Sequence, residues 1–302
     1  MLHGWLFIDK PVGISSTKVV SQVKRHLGCK KVGHGGTLDP LASGILPLAL
    51  GEATKTVSYV MDTTKEYHFT LWWGEQRTTD DEEGEVIETS PIRPSLEEIQ
   101  SALKHFTGDI LQIPPQYSAI KVQGERAYNL ARCNRPPILA PRPVKIETLS
   151  LLSADTPDSA SFHLKCHKGV YVRSLARDLA RFLGTYGYAA SIRRTFVGKF
   201  GEKAALSFDA LANLTPDRLY KKWLHLITDV LDDIPAIPIP ASLEGRLVKG
   251  QAVAIEVNSG LGLQAQGTVL CKDEAGIPLA IARLEAGSVH PRRVFNIKSL
   301  TI

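Results

Sequence analysis

Residues 33–55 read GHGGTLDPLASGILPLALGEATK. Gly33, Gly35 and Gly36 precede a single acid, Asp39, and an apolar run follows it. Glycine permits a sharp backbone bend or the close approach of a ligand. Asp39 stands between Leu38 and Pro40-Leu41, with no basic residue within four positions on either side. A carboxylate fixed by a rigid turn against apolar neighbours is costly unless something distant in the sequence pairs with it. A cost of that kind is usually tolerated for chemistry. A lone Asp-Pro pair is an ordinary turn or helix cap.

Outward from this turn, the periodicity alternates between strand and helix. Trp5 to Asp9 reads as a short strand, followed by a Lys10–Gly13 turn and a helix capped by Ser15 or Ser16. Val19, Val20, Val23 and Leu27 recur at helical spacing and Gly28 supplies the stop. Tyr67, Phe69 and Leu71 alternate with polar neighbours, as do Phe162, Leu164 and Cys166, so both segments are expected to be strands. Asp80 to Gly84 reads as an acidic turn without the ligand spacing of a calcium loop. Pro94-Ser95 opens a helix with Leu96, Ile99 and Leu103. Residues 114–143 carry many prolines and bases and read as a loop-rich excursion able to close over a ligand. From Val172 a helix follows, with Leu175, Ala176, Leu179, Phe182 and Leu183 on one face and Arg173, Arg177 and Arg181 as a stripe on another. The proline-dense IPAIPIPASLEG, 234–245, reads as a linker. The segments 251–257, 267–272 and 278–284 beyond it read as a compact β-rich module.

Composition narrows the function classes. The chain has 302 residues, 43% hydrophobic and 22% charged, an ordinary globular balance with room for a large core and a second small domain. No apolar run is long enough to span a membrane, and the N-terminal residues lack a secretory leader, so a cytoplasmic protein is expected. Cys29, Cys133, Cys166 and Cys271 are far apart and form no CxxC pair, which argues against a zinc or redox site. A Gly-Lys-Ser/Thr phosphate loop, a hydrolase-type nucleophile set and a deaminase His-x-Glu signature are all missing. The net charge of +5 is modest. Its distribution says more: bases crowd at 24–31, at 126–145 and at 173–194, a pattern that fits a polyanionic substrate.

Taken in order, DKPVGISS (9–16), GHGGTLDPLASG (33–44), KEYHFTLWWG (65–74), PPQYSAIKVQG (114–124), KGVYVRSLARDLA (168–180) and SIRRTFVGKF (191–200) resemble the motifs of the bacterial tRNA pseudouridine-55 synthases, the TruB family. HPRRVFN (290–296) lies in a terminal module that resembles a PUA domain. The resemblance implies an α/β (α+β) fold. A mixed-sheet catalytic domain would occupy residues 1–237, with 114–143 as an RNA-contacting insertion, and a β-rich PUA-like RNA-binding domain residues 238–302. It implies isomerisation of uridine to pseudouridine at position 55 in the T arm of tRNA, on a flipped-out base.

The resemblance also assigns residues. Asp39 is the catalytic carboxylate, acting either as a nucleophile or as a base at the sugar. Arg173 pairs with it, where an always-ionised guanidinium offers a bidentate fork. Tyr67 stacks on the target base, and His34 enters the RNA helix as the base leaves. Tyr171 and Ile192 wall the pocket. The family often has Leu where Ile192 stands, and CNRPPILAPRP, 133–143, departs from an expected Gly-containing segment. Neither cofactor nor metal is expected, and the partner is tRNA through its T stem-loop, with a monomeric enzyme and no obligate protein partner. Two rivals remain: a guide-RNA-dependent synthase, and a non-catalytic RNA-binding or RNA-folding protein. The 114–143 excursion argues against the first and the presence of Asp39 against the second.

Overall fold

The computed structural model describes residues 2–133, 135–255 and 266–297. Among them, eleven strands form one mixed sheet. Its main path runs Ala205–Ser207, Gly4–Lys10, Ser43–Leu50, Gly187–Val197, Lys65–Trp73, Ser159–Cys166, Arg142–Thr156, Gly108–Gln112. Neighbours are mostly antiparallel. Ala205–Ser207 and Gly4–Lys10 instead meet in parallel, as do Ser43–Leu50 and Gly187–Val197 through Arg193↔Ser43 and Arg194↔Gly44. Gly44 has φ +99, and a Cβ there would sit 2.2 Å from the Arg194 carbonyl oxygen, so only glycine lets the two strands approach.

Side-chain alternation builds this sheet as the sequence pattern requires. In Lys65–Trp73, Phe69, Leu71 and Trp73 are buried and the residues between them are more open. Phe69 stacks on Phe162 of the adjacent strand, with ring centroids 5.1 Å apart. The helix Val172–Phe182 packs on the sheet through Leu175, Ala176, Leu179 and Ala180, all fully buried. Truncating Leu175 to Ala there would cost about 2–5 kcal/mol. Ser15 caps the helix Ser16–His26, its hydroxyl accepting from the Lys18 N–H. Ser95 and Glu98 form a capping box at the start of Leu96–Leu103.

Two expectations change. The 114–143 segment is more ordered than a loop excursion: Lys121–Val122 and Glu125–Arg126 pair as a hairpin, and the helix Ala127–Arg132 follows. Gln123 and Gly124, both at positive φ, make its two-residue turn, the geometry that matches strand twist. The 234–245 stretch is not a linker. Ala236–Pro238 is a parallel strand of the second sheet, and Ala241–Leu247 is a helix that buries Leu247. Proline is tolerated in this strand because it lies at a sheet edge. Within the arginine stripe, Arg173 and Arg177 are buried beside the apolar residues of their helix.

The second sheet has five strands, ordered Ala236–Pro238, Gln266–Lys272, Pro278–Glu285, Ser288–Val294, Val253–Ala254. The last replaces the expected 251–257 segment, of which residues 256 and 257 lie outside the described residues. Leu270, Ile281 and Phe295 pack into one cluster with Trp5 and Phe7 of the large sheet. Lys55 donates to the Val294 carbonyl at 2.7 Å and the Asn296 N–H to Glu52 at 2.8 Å. The two sheets therefore share an apolar seam tied by polar contacts.

Candidate active site

The Asp39 turn is fixed at nearly every residue. Ser16, expected only as a helix cap, is buried, and its hydroxyl donates to Leu38 O at 2.8 Å while accepting from Leu38 N–H at 2.9 Å. Leu38 and Leu41 anchor in the core. Gly36 takes φ +135, where L side chains are strained, and its carbonyl accepts from Arg194 at 3.0 Å. The Pro40 carbonyl accepts from the Gly13 N–H at 2.8 Å and from Lys10 Nζ at 3.3 Å. Asp39 emerges from this scaffold with its side chain 39% exposed, into a cavity of about 290 Å³. A cleft of that size suits one flipped nucleobase.

The turn, the Lys65–Trp73 strand, residues 167–173 and the Gly187–Val197 strand converge on this cavity. Asp39, Tyr67, Tyr171, Arg173 and Ile192, distant in sequence, all line it. His34 does not. It ends the strand Val32–His34, just before the wall begins at Gly35, and its buried Nδ1 has no hydrogen-bond partner. Burial, helped by the Arg194 charge, lowers the His34 pKa and favours the neutral ring.

Asp39 and Arg173 form an ion pair at 2.9 Å. The geometry is not the two-point fork expected from sequence. One terminal nitrogen, Nη2, meets Asp39 Oδ2, while Nη1 meets Asp81 Oδ2 at 3.2 Å. The guanidinium, 4% exposed, thus bridges two carboxylates and also donates to the Thr79 and Tyr117 carbonyls, each at 2.9 Å. Asp81, in the acidic turn, is buried, which pushes its carboxyl above the usual range against the pull of Arg173. Its neighbour Asp80 is buried too, with φ +59, and takes Arg177 at 2.8 Å; burial again raises its pKa.

Two lysines complete the surroundings. Lys10 is fully buried and donates to the carbonyls of Pro11, Ile14 and Pro40. Lys65, in the cavity wall, donates to those of Val60, Met61 and Thr63. Burial lowers each ammonium pKa to about 8. Burial also raises the phenol pKa values of Tyr67 and Tyr171, so both hydroxyls are neutral donors at neutral pH. Tyr171 is held through its backbone: its N–H donates to Gln112 Oε1 at 2.8 Å and its carbonyl accepts from Gln112 Nε2 at 3.1 Å. Among the described residues, no three His, Cys, Asp or Glu side chains gather as a metal-ligand set.

The basic clusters sort into two kinds. Lys24, Arg25, Lys30, Lys31, Arg126, Arg132, Arg135, Arg142 and Lys145 are exposed. Arg173, Arg177 and Arg194 are buried, and Arg193 pairs with Asp9 and Glu202. The first kind, together with the exposed Arg181, is free to meet a polyanion.

Residues 24–172 match the family model described as TruB family pseudouridylate synthase, N-terminal domain. The chain is 49% identical to a tRNA pseudouridine synthase B of Bradyrhizobium diazoefficiens, covering 99% of this chain and 88% of the relative. It is 48% identical to that of Rhodospirillum rubrum, covering 98% and 97%. Among solved structures it resembles a chain of an H/ACA RNP bound to a substrate RNA containing 2′-deoxyuridine. The TM-score is 0.72 at 21% identity, over 98% of this chain and 86% of that one, a likeness of fold. A Cbf5-Nop10-Gar1 complex matches similarly, with a TM-score of 0.71 at 23% identity, over 97% of this chain and 84% of that one.

Proposed function

The chain belongs to the TruB family of pseudouridylate synthases, which are isomerases, and from that premise we propose that it converts the uridine at position 55 in the T arm of tRNA to pseudouridine, with Asp39 as its catalytic carboxylate. The observation that carries this reading is the Asp39–Arg173 pair at 2.9 Å in a cavity also walled by Tyr67, Tyr171 and Ile192. The reaction breaks the C1′–N1 bond, turns the base and rejoins it through C5. It changes no oxidation state and calls for no cofactor or metal. It needs an oriented carboxylate, an aromatic face for the flipped base and apolar walls that exclude water. Arg173 holds and aims the Asp39 carboxylate. Tyr67 stacks on the uracil, Tyr171 and Ile192 pack its other sides, and His34 fills the space the base vacates in the RNA.

Affinity arises elsewhere, from phosphate contacts by the exposed bases at 24–31 and 126–145. The boundary drawn from the sequence between 237 and 238 moves to just before Ala236, whose strand belongs to the second sheet: the residues before it form the catalytic domain, and those from Ala236 on a PUA-like unit that adds RNA contacts through Arg246, Lys249, Arg292 and Arg293. The enzyme works as a monomer in the cytoplasm without an obligate protein partner. Among the described residues, no helix is long and apolar enough to cross a membrane.

The test is incubation of the purified protein alone with an unmodified tRNA transcript, followed by position-resolved detection of pseudouridine. Conversion at position 55 by the wild type and none by Asp39→Asn, with RNA binding retained, is the expected result. A requirement for an added guide RNA, or turnover by Asp39→Asn within tenfold of wild type, would overturn it.

A further inference from the structure

Four buried cations surround the Asp39 turn: Lys10, Lys65, Arg173 and Arg194, none more than 6% exposed. Arg173 is committed to two carboxylates. Lys10 and Lys65 can escape an uncompensated charge by releasing a proton. Arginine cannot, because its pKa is too high. Arg194 therefore stands apart. It is 2% exposed and lies in the cavity wall, yet among the described residues no carboxylate comes within ion-pair distance of it. Its Nε donates to Ile45 O at 2.8 Å and its Nη2 to Gly36 O at 3.0 Å, which fixes the guanidinium without neutralising it. The strand register sets Arg194 opposite Tyr67, and its charge holds the Tyr67 phenol below the pKa that burial alone would impose. Burying a permanent charge without a counter-ion is expensive. Such an arrangement is explained if the counter-charge arrives with the substrate.

We propose that Arg194 is a further catalytic residue, whose fixed charge stabilises the pyrimidine ring while it is detached from the ribose. This rests on the reading of the cavity as the uridine site. When C1′–N1 breaks, the bonding electron pair stays with the ring, which becomes an anion delocalised over N1, O2 and O4. C1′ is then either bonded to an Asp39 oxygen or, if Asp39 removes the C2′ proton, becomes part of a C1′=C2′ double bond. Re-bonding through C5 returns the pair to C1′ and either breaks the Asp39–C1′ bond or, on the other course, is accompanied by return of the proton from Asp39 to C2′; the C5 proton then leaves to water and N1 takes one up from water, so product and substrate are isomers. The anion exists only between these steps. A cation preorganised in a water-poor wall acts on it without reorganising, whereas Arg173 is already occupied.

The experiment compares two T-arm RNAs, with uridine or 5-fluorouridine at the target, in single-turnover assays at saturating protein that follow loss of the target nucleoside. Fluorine at C5 withdraws electrons and stabilises the ring anion by itself. Arg194→Gln is expected to lose about 10²–10³-fold on uridine and at least tenfold less than that on 5-fluorouridine, with tRNA affinity unchanged. A purely structural role would depress both substrates equally, and that result, or a uridine rate within threefold of wild type, would overturn the proposal. If Arg194→Gln fails to fold by circular dichroism, Arg194→Lys decides. Its ammonium can deprotonate, so the ratio of its uridine rate to that of wild type must fall as pH rises, and fall less when both are measured on 5-fluorouridine; a ratio independent of pH on both substrates refutes the role. Asp39→Asn serves as the control. If that variant converted either RNA, the site reading itself would fail, independently of Arg194.

Discussion

Replacing Arg173 with lysine keeps the charge and removes the span. In the native site the guanidinium reaches Asp39 at 2.9 Å and Asp81 at 3.2 Å from different nitrogens, while also donating to Thr79 O and Tyr117 O. An ammonium is a point donor on a flexible stem and cannot occupy both ends of that bridge. One carboxylate must lose its partner. If lysine stays with Asp39, then Asp81, with its side chain 3% exposed, is left buried and uncompensated. Breaking one partner from a buried pair costs about 3–5 kcal/mol. Asp81 can discharge part of this by taking a proton, which burial already favours, but the geometry that aims Asp39 is lost either way. If about 3–4 kcal/mol of that appears in the transition state, the rate falls by roughly two to three orders of magnitude. Arg173→Lys should thus be nearly as slow as Arg173→Ala. Single-turnover rates at saturating enzyme, filter binding of tRNA and circular dichroism measure the three quantities that matter. A folded lysine variant within tenfold of wild type would show that the bridge is not what aims Asp39.

Ser16→Ala strips Leu38 of a donor and an acceptor at once, so it should cost about 2–4 kcal/mol of stability and slow turnover with little change in tRNA affinity; urea melts and single-turnover rates check both. Lys10 sheds its proton at about 8 when folded, against an ordinary lysine value of 10.5. Between those values the unfolded chain binds more protons, so rising pH relieves a destabilisation that is fully present below about 8, by at most about 1.4 kcal/mol per pH unit. Urea midpoints of wild type relative to Lys10→Met should therefore shift in favour of wild type across roughly pH 7.5 to 10, and a constant difference would contradict the buried-ammonium assignment. Arg292→Glu with Arg293→Glu should weaken tRNA binding and leave the saturating rate within threefold. These point variants are preferable to deleting the second sheet, because Leu270, Ile281 and Phe295 cover Trp5 and Phe7.

Local pattern makes much of the fold readable. The alternation through Tyr67, Phe69 and Leu71 and the helix starts at Ser15 or Ser16 and at Pro94-Ser95 act over a few residues, and the structure has the strand there and caps the helices with Ser15 and Ser95. The turn around Asp39 is legible for a similar reason: its glycines and apolar flanks describe its own environment. What pairs with Asp39 is not legible locally. Arg173 is 134 positions away, a separation of 173 against 39 in the sequence, and only family resemblance connects them. Asp80 and Asp81 leave no signal at all, because an Asp-Asp-Glu-Glu-Gly run reads as solvated until the fold sets Arg173 and Arg177 beneath it. Lys10 and Lys65 are invisible for the same reason: lysine is almost never buried, and the carbonyls that accept from them become available only in the folded turns. The proline-rich 234–245 stretch misleads in the opposite direction, since proline at a sheet edge looks like proline in a linker.

The division between exposed and buried bases also separates two jobs that sequence counts merge. The bases at 24–31 and 126–145 lie in solvent, where salt screens them and where the proposed phosphate contacts would release counter-ions. Arg173 and Arg194 lie at 4% and 2% exposure, where screening is weak and partners are fixed by geometry. Added salt should therefore raise the enzyme concentration needed for saturation steeply, while leaving the single-turnover rate at saturation nearly unchanged. A titration across roughly 50 to 300 mM salt with uridine RNA distinguishes the two effects. A saturating rate that fell in proportion to affinity would mean that the surface cations also set the geometry of the bound base, and that the cavity alone does not orient it.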